Sequence, residues 1–302
     1  AIELYRSIFF IIASVPLVVT FSIFRGALDG LEKFNYVSGI KIITSTFTIL
    51  FMISAYFYNP NLQFAAFSIF FSRFLSLLLI FFCVLRFVVF RLSFIFEFKL
   101  MREILNYGAY ASVSSFISAF LVYFDRFIAA AIVPPNVYSI YSLIADAVNR
   151  LAFIPGSISS VLFVNLSDDK VEFSLKNILI RNSYFYIITT VAPISFFLIF
   201  WGDSLFSYWV TSIPFSDYKL LISIIAFGCF INALAHIPYA VLHACGKVGL
   251  TARIHVIEAS VFLPLMIVLG SAYGVYGIVI AWFSRHVFDF SVMAWFSRRS
   301  KN

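Results

Sequence analysis

Asp125 and Arg126 sit in one long apolar stretch of this chain, and Asp146, Asn149 and Arg150 sit in the next. The turn Val133-Pro134-Pro135-Asn136 separates the two. Both stretches consist largely of Ile, Leu, Val, Phe, Ala and Ser and are long enough to cross a bilayer. A charge held in hydrocarbon costs about 3 kcal/mol or more unless it faces a partner or a wet cavity. Asp125 lies about 10 residues before the turn and Asp146 about 11 after it. At roughly 1.5 Å per residue both fall about 15 Å from one membrane face, near the midplane of a core about 30 Å thick. The same estimate brings Arg73 and Arg285 to that level, with Asp289 beside Arg285 and Glu258 slightly lower. Near-balanced charges on several helices at one depth point to a central polar cavity rather than to separate structural pairs. Arg73, Arg126, Arg150 and Arg285 suit an anionic head group, because the guanidinium fork pairs with phosphate bidentately. Asp125, Asp146, Glu258 and Asp289 suit a coupling ion, H⁺ or Na⁺, or pairing with the arginines. Asp146–Arg150 and Arg285–Asp289 are spaced to bond along their own helices. His236 and His255 read more simply as packed residues than as relays.

The elements that position these groups follow from composition. The chain is 62% hydrophobic and 12% charged, with a mean hydropathy of +1.00. A soluble chain of 302 residues needs more polar surface than that. Apolar runs of about 20 residues recur throughout, and the alternating strands of a β-barrel are absent. The expected fold is all-α, a polytopic membrane protein with spans near residues 5–24, 37–58, 62–90, 107–133, 138–166, 182–200, 218–243, 252–269 and 275–296. Pro16, Pro155, Pro193, Pro238 and Pro264 are expected to break helices, as at moving parts of transporters. Ala27-Leu28-Asp29-Gly30 and His243-Ala244-Cys245-Gly246 each read as a helix end closed by a glycine turn. Ala1 is not a start methionine and no charged n-region leads the first run, so that run is not read as a signal peptide and the chain reads as the later part of a longer protein.

Residues 91–106 form a basic, aromatic-rich connector suited to the membrane surface. It divides the chain into 1–90, the connector 91–106, and 107–302. Lys and Arg cluster on alternate loops, at Arg25, Lys33, Arg102, Lys170, Lys247 and Arg298 among others, which makes that side cytoplasmic. The net charge of +7 is therefore an orientation signal, and no basic stripe suits nucleic acid. Cys83, Cys229 and Cys245 stand alone in apolar surroundings, with no disulfide framework or metal-ligand spacing. No nucleotide loop, zinc motif or catalytic domain is legible, so no catalytic residue and no resident cofactor is expected.

Several motifs together resemble the O-antigen and polysaccharide flippases (Wzx-type) of the multidrug/oligosaccharidyl-lipid/polysaccharide flippase superfamily. These are Arg25-Gly-Ala-Leu-Asp-Gly-Leu-Glu-Lys-Phe34, then Asp125-Arg126-Phe127, Tyr141, Asn149-Arg150 and Pro155-Gly156. They continue with Ile237-Pro238-Tyr239, His255, Glu258, Tyr273-Gly-Val-Tyr-Gly277 and Ala281-Trp-Phe-Ser-Arg285 with Asp289. The resemblance implies a twelve-helix, two-lobe fold of which this chain supplies about nine helices: 1–90 from the first lobe, 91–106 as linker, 107–302 as a six-helix second lobe. It implies a non-enzymatic transporter of the bacterial inner membrane. Its activity would be moving undecaprenyl-diphosphate-linked oligosaccharide from the cytoplasmic to the periplasmic leaflet, coupled to H⁺ or Na⁺. Membrane lipid, a polysaccharide polymerase and a chain-length regulator would be its neighbours. A cation-coupled multidrug exporter of the same superfamily and a membrane polysaccharide polymerase are the alternatives.

Overall fold

A computed structural model describes residues 2–58, 61–87, 98–168, 171–211 and 213–299. All regular structure among them is helical. Contacts divide the chain into two compact units, Ala1–Ile95 and Phe96–Asn302.

The first unit holds α1 (Ile2–Gly30), α2 (Phe34–Tyr58) and α3 (Leu62–Phe87). Ser68, Ser72, Ser76, Ile80 and Val84 form a buried stripe at helical spacing along α3. Small residues let helices approach closely in lipid, and the hydroxyls of Ser68 and Ser76 bond carbonyls four residues back, at 2.8 Å each. Phe10 meets Phe67 and Phe70 across α1 and α3, and Leu28, Val37, Ile40, Ile80 and Val84 close the core. The α1–α2 turn corrects the expectation for Gly30. That glycine is helical, and the left-handed position falls on Glu32, at φ 58°. Lys33 N–H then reaches the Leu28 carbonyl at 2.9 Å, the six-to-one closure of a Schellman turn.

The second unit holds α4 (Phe98–Ile132), α5 (Pro135–Asn149), a 3₁₀ turn (Arg150–Ala152), α6 (Phe153–Ser167), α7 (Phe173–Trp209), α8 (Lys219–Ala244) and α9 (Val248–Arg299). Pro134 is extended and Pro135 opens α5, where its fixed φ and missing N–H suit the first turn. Residues 98–106, expected in the connector, form the start of α4, while 91–97 lie outside the described residues. Gly246, at φ 71°, closes α8 as expected, with Lys247 N–H on the Leu242 carbonyl at 2.9 Å.

The prolines behave differently from expectation. The helix is interrupted only near Pro155 among these five; α1, α7, α8 and α9 run through Pro16, Pro193, Pro238 and Pro264. The interruption falls at Arg150–Ala152 rather than at Pro155-Gly156. Proline lacks the N–H owed to the carbonyl four residues earlier and its ring crowds that carbonyl. Here that residue is Leu151, so the defect appears a turn before the proline.

Eight helices among the described residues are long and apolar enough to cross a membrane. The last of them doubles back at Gly274, φ 62°, into arms 248–273 and 275–299. Contacts of Phe262 with Phe288, Ile254 with Met293 and Gly270 with Ile278 set the arms antiparallel. Nine crossing segments result, an all-α polytopic membrane protein. Large apolar side chains such as Phe116, Phe153, Phe200 and Trp201 cover the outside, as hydrocarbon solvent permits.

Glycine sets the closest approach of the two α9 arms. A Cβ on Gly277 would lie 1.9 Å from the Leu269 carbonyl oxygen, which is backbone and cannot turn aside. Gly277→Ala should destabilise the protein by about 1–3 kcal/mol, as overpacking does. Gly39→Ala meets nothing within 4 Å in mid-helix and should stabilise by up to about 1 kcal/mol. Thermal unfolding in detergent checks both, as shifts of opposite sign.

Candidate functional site

The polar residues of the second unit gather in two neighbouring groups. The first joins α4 to α5. Asp125, 1% exposed, accepts a hydrogen bond from the hydroxyl of Tyr141, also 1% exposed. Arg126 follows Asp125 in sequence and so points about 100° away around the helix. Its long stem nevertheless brings the guanidinium back. Nη1 donates to the Val122 carbonyl at 3.1 Å and lies 3.4 Å from Asp125 Oδ1, while Nη2 donates to Asp146 on α5. One fork thus spans two carboxylates on two helices. The expected Asp146–Arg150 pair does not form among the described contacts. Asp146 is taken by Arg126, and Arg150 falls in the 3₁₀ turn, off the regular face it would share with Asp146.

Beside this bridge lies a cavity of about 380 Å³. Arg126 and Val122 line it from α4, Asp146 and Asn149 from α5, and Arg150 from the 3₁₀ turn. Asn232 enters from α8 and His286 from the second arm of α9, with Tyr123 and Trp282 as aromatic walls. Trp282 reaches that place because α8 carries glycine opposite it: a Cβ on Gly228 would sit 2.3 Å from the indole. Arg126 is matched by two carboxylates, and Arg150 is left unpaired among the described residues, in the wall beside the amides of Asn149 and Asn232, donors that suit an anion rich in hydrogen-bond acceptors. The volume is in the range of pockets that hold small ligands or head groups.

The second group lies between the α9 arms and against α4. His255, Glu258 and Asp289 bring one ligand atom each to within 4.8 Å of one another. His255 Nδ1 lies 3.1 Å from the Ser114 carbonyl and 2.9 Å from its hydroxyl. A carbonyl only accepts, so Nδ1 carries a hydrogen, and Nε2 is the ring nitrogen left for other partners. Arg285 Nη1 is 3.9 Å from Glu258 Oε2, and its Nη2 is 3.3 Å from His286 Nε2. Arg285 was expected to pair with Asp289 along its helix; the α9 hairpin places Glu258 of the other arm against it instead.

The cavity therefore gathers Arg126, Arg150 and Asp146 of the expected residues, and Asp125 supports them from behind. Arg285, Glu258 and Asp289 fall in the second group. Arg73, on α3 of the other unit, is exposed and has no ion pair among the described residues. Sequence reading missed Tyr141 as the partner of Asp125, Ser114 as the partner of His255, and His286 as cavity wall. Tyr141 stood out only as part of the family resemblance and Ser114 not at all; neither pairing was legible, because each acts across helices that only folding brings together. His286 was legible as the neighbour of Arg285.

Comparison with known proteins agrees with this architecture. A Shigella flexneri protein named "Putative O-antigen transporter" is 28% identical over 286 residues, covering 94% of this chain and 68% of that protein. Among solved structures, an outward-facing multidrug resistance MATE family transporter of the MOP superfamily superposes with a TM-score of 0.80 at 12% identity, covering 98% of this chain and 69% of that one. A MATE protein in complex with MaL6 gives 0.78 at 13% identity, over 98% and 70%. The bent form of the Vibrio cholerae MATE transporter VcmN gives 0.66 at 12% identity, over 87% and 61%. At these identities the solved structures establish the fold alone. The polysaccharide biosynthesis protein family matches residues 2–166, more than half of the chain. That stretch includes the hairpin with Asp125, Arg126, Asp146 and Arg150, and it bears out the resemblance read from the sequence: the chain belongs to the polysaccharide biosynthesis protein family.

Proposed function

We propose that this protein is a flippase of the bacterial inner membrane. It moves undecaprenyl-diphosphate-linked oligosaccharide units from the cytoplasmic to the periplasmic leaflet for O-antigen or surface polysaccharide synthesis, by ion-coupled alternating access. In this reading residues 1–90 belong to one lobe, 107–302 to the other, and 91–106 link them. The observation that carries it is the cavity of about 380 Å³ walled by Arg126 and Arg150 inside an otherwise apolar helical unit. A pyrophosphate offers oxygens that accept hydrogen bonds from guanidinium and amide N–H groups. Tyr123 and Trp282 offer flat apolar faces to sugar rings. Transport without chemistry also fits the Shigella flexneri relative, which is named "Putative O-antigen transporter". The drug-exporter reading is weaker, because a cation would meet two guanidiniums in the cavity wall.

The charges divide into those that face the cavity and those that hold it. Arg150 is exposed to the cavity and pairs with no carboxylate in the described contacts. Asp125 is enclosed by Tyr141 and Arg126.

Arg150→Ala, in a complete reading frame expressed in a host lacking its own O-unit flippase, should insert normally yet lower surface polysaccharide about tenfold or more. That is the loss expected for a charge-assisted contact of about 1.5–3 kcal/mol. Lipid-linked units should then accumulate on the inner leaflet. Wild-type polysaccharide in that variant would remove Arg150 from the site, and accumulation of single units on the outer leaflet would indicate a polymerase instead.

Tyr141→Phe should act on folding rather than on the ligand. It leaves a buried carboxylate oxygen without its donor and should lower stability by about 1–3 kcal/mol in thermal unfolding. Arg150→Ala should leave the stability within about 0.5 kcal/mol of wild type, as for an exposed site.

A further inference from the structure

Four carboxylates in the second unit are candidates for ion coupling, and their surroundings differ. Asp125 and Asp146 are spoken for, because the Arg126 fork and the Tyr141 hydroxyl satisfy them. Glu258 is 1% exposed, and neither of its side-chain oxygens has a hydrogen-bond partner. Asp289 Oδ1 is likewise unpartnered. Both face His255 within the same 4.8 Å cluster. A fully buried carboxylate without donors is costly unless something supplies them.

The charges around the cluster can be counted. The first arm of α9 contributes Glu258 and His255, and the second contributes Arg285, Asp289 and a His286 whose Nδ1 is also unpartnered. From α8, His236 and His243 act on the cluster electrostatically and the Tyr239 ring stacks on His255 at 6.1 Å. From α4 come the Ser114 hydroxyl and Asp125, whose charge senses Arg285 but is already matched by Arg126. Two carboxylates against one guanidinium leave one uncompensated negative charge, shared between the buried Glu258 and the half-buried Asp289. A monovalent cation neutralises it, whereas a divalent metal overshoots beside a guanidinium. Only two of the three ligand atoms are oxygens, which is meagre for a hard metal cation and ample for a proton.

We propose that Glu258, Asp289 and His255 form a proton-binding site that holds one proton on the carboxylate pair, with His255 as the exchange partner. The site is in contact with the cavity through Arg285, which leans on Glu258 on one side and on the cavity-lining His286 on the other. Taking up or losing the proton changes the charge that Arg285 must balance, and so the field felt by an anion in the cavity. This deepens the reading of the protein as a coupled transporter. It rests on that reading for the proton's role in transport, though not for the proton's presence.

Infrared difference spectroscopy of the purified chain in lipid nanodiscs tests it, by the C=O stretch of a carboxylic acid at neutral pH. Wild type should show one such acid that exchanges in D₂O. Glu258→Gln and Asp289→Asn should each abolish it, because removing either carboxylate leaves the other matched by Arg285. Arg285→Gln should add a second acid, since two negative charges then need two protons. Misfolding cannot mimic changes of opposite sign. Absence of the acid in wild type, its loss on adding NaCl or zinc, or its survival in both single carboxylate variants would overturn the proposal. No substrate is needed, so failure here and failure of the flippase reading are told apart.

Discussion

Arg126 is the interaction on which the second unit depends. Its guanidinium reaches one carboxylate on its own helix and another on the next, and the Tyr141 hydroxyl completes the nearer one. In lipid there is no hydrophobic force to drive one apolar helix onto another. A charge network whose members would each be ruinous alone fixes α4 against α5 at one depth. The same fork forms part of the cavity wall, so the group that closes the hairpin also shapes the cavity.

Small residues do the complementary work of letting helices approach. Gly228 makes room for Trp282, and Gly277 lets the two arms of α9 meet backbone to backbone. These approaches bring Arg285 and His286, with Glu258 and Asp289, to the inner side of the unit. Without them the polar residues of α9 would lie on helices too far apart to touch. In the first unit the serine stripe of α3 plays the same part, with each hydroxyl hidden by a bond to its own helix.

The arrangement separates two tasks that a coupled transporter has to join. The cavity presents positive charge and amide groups to a ligand, and the His255–Glu258–Asp289 cluster presents excess negative charge to a cation. Arg285 and His286, adjacent in sequence, stand one on each side of that divide and are themselves in contact. Energetic coupling between two sites requires an element whose position both bias, and a buried guanidinium held at 3.9 Å from its nearest carboxylate is loosely enough bound to serve.

Composition and apolar run length by themselves determined the class: an all-α membrane protein of about nine spans. They succeed because hydrocarbon leaves so few options for a backbone. The order of motifs further identified the family. Partners were a different matter. Asp146–Arg150 and Arg285–Asp289 have the right spacing to pair along a helix, yet Arg126 and Glu258 arrive from other elements and take their places. Five prolines look alike in the sequence, and only the surroundings of Pro155 let the helix open, a turn early, at Leu151. Which charges are matched and which are left over is a sum over neighbours from α4, α5, α8 and both arms of α9. Spacing along one helix carries no information about the others, so only the tertiary structure could decide that Asp125 is hydrogen-bonded and that the Glu258 oxygens are not.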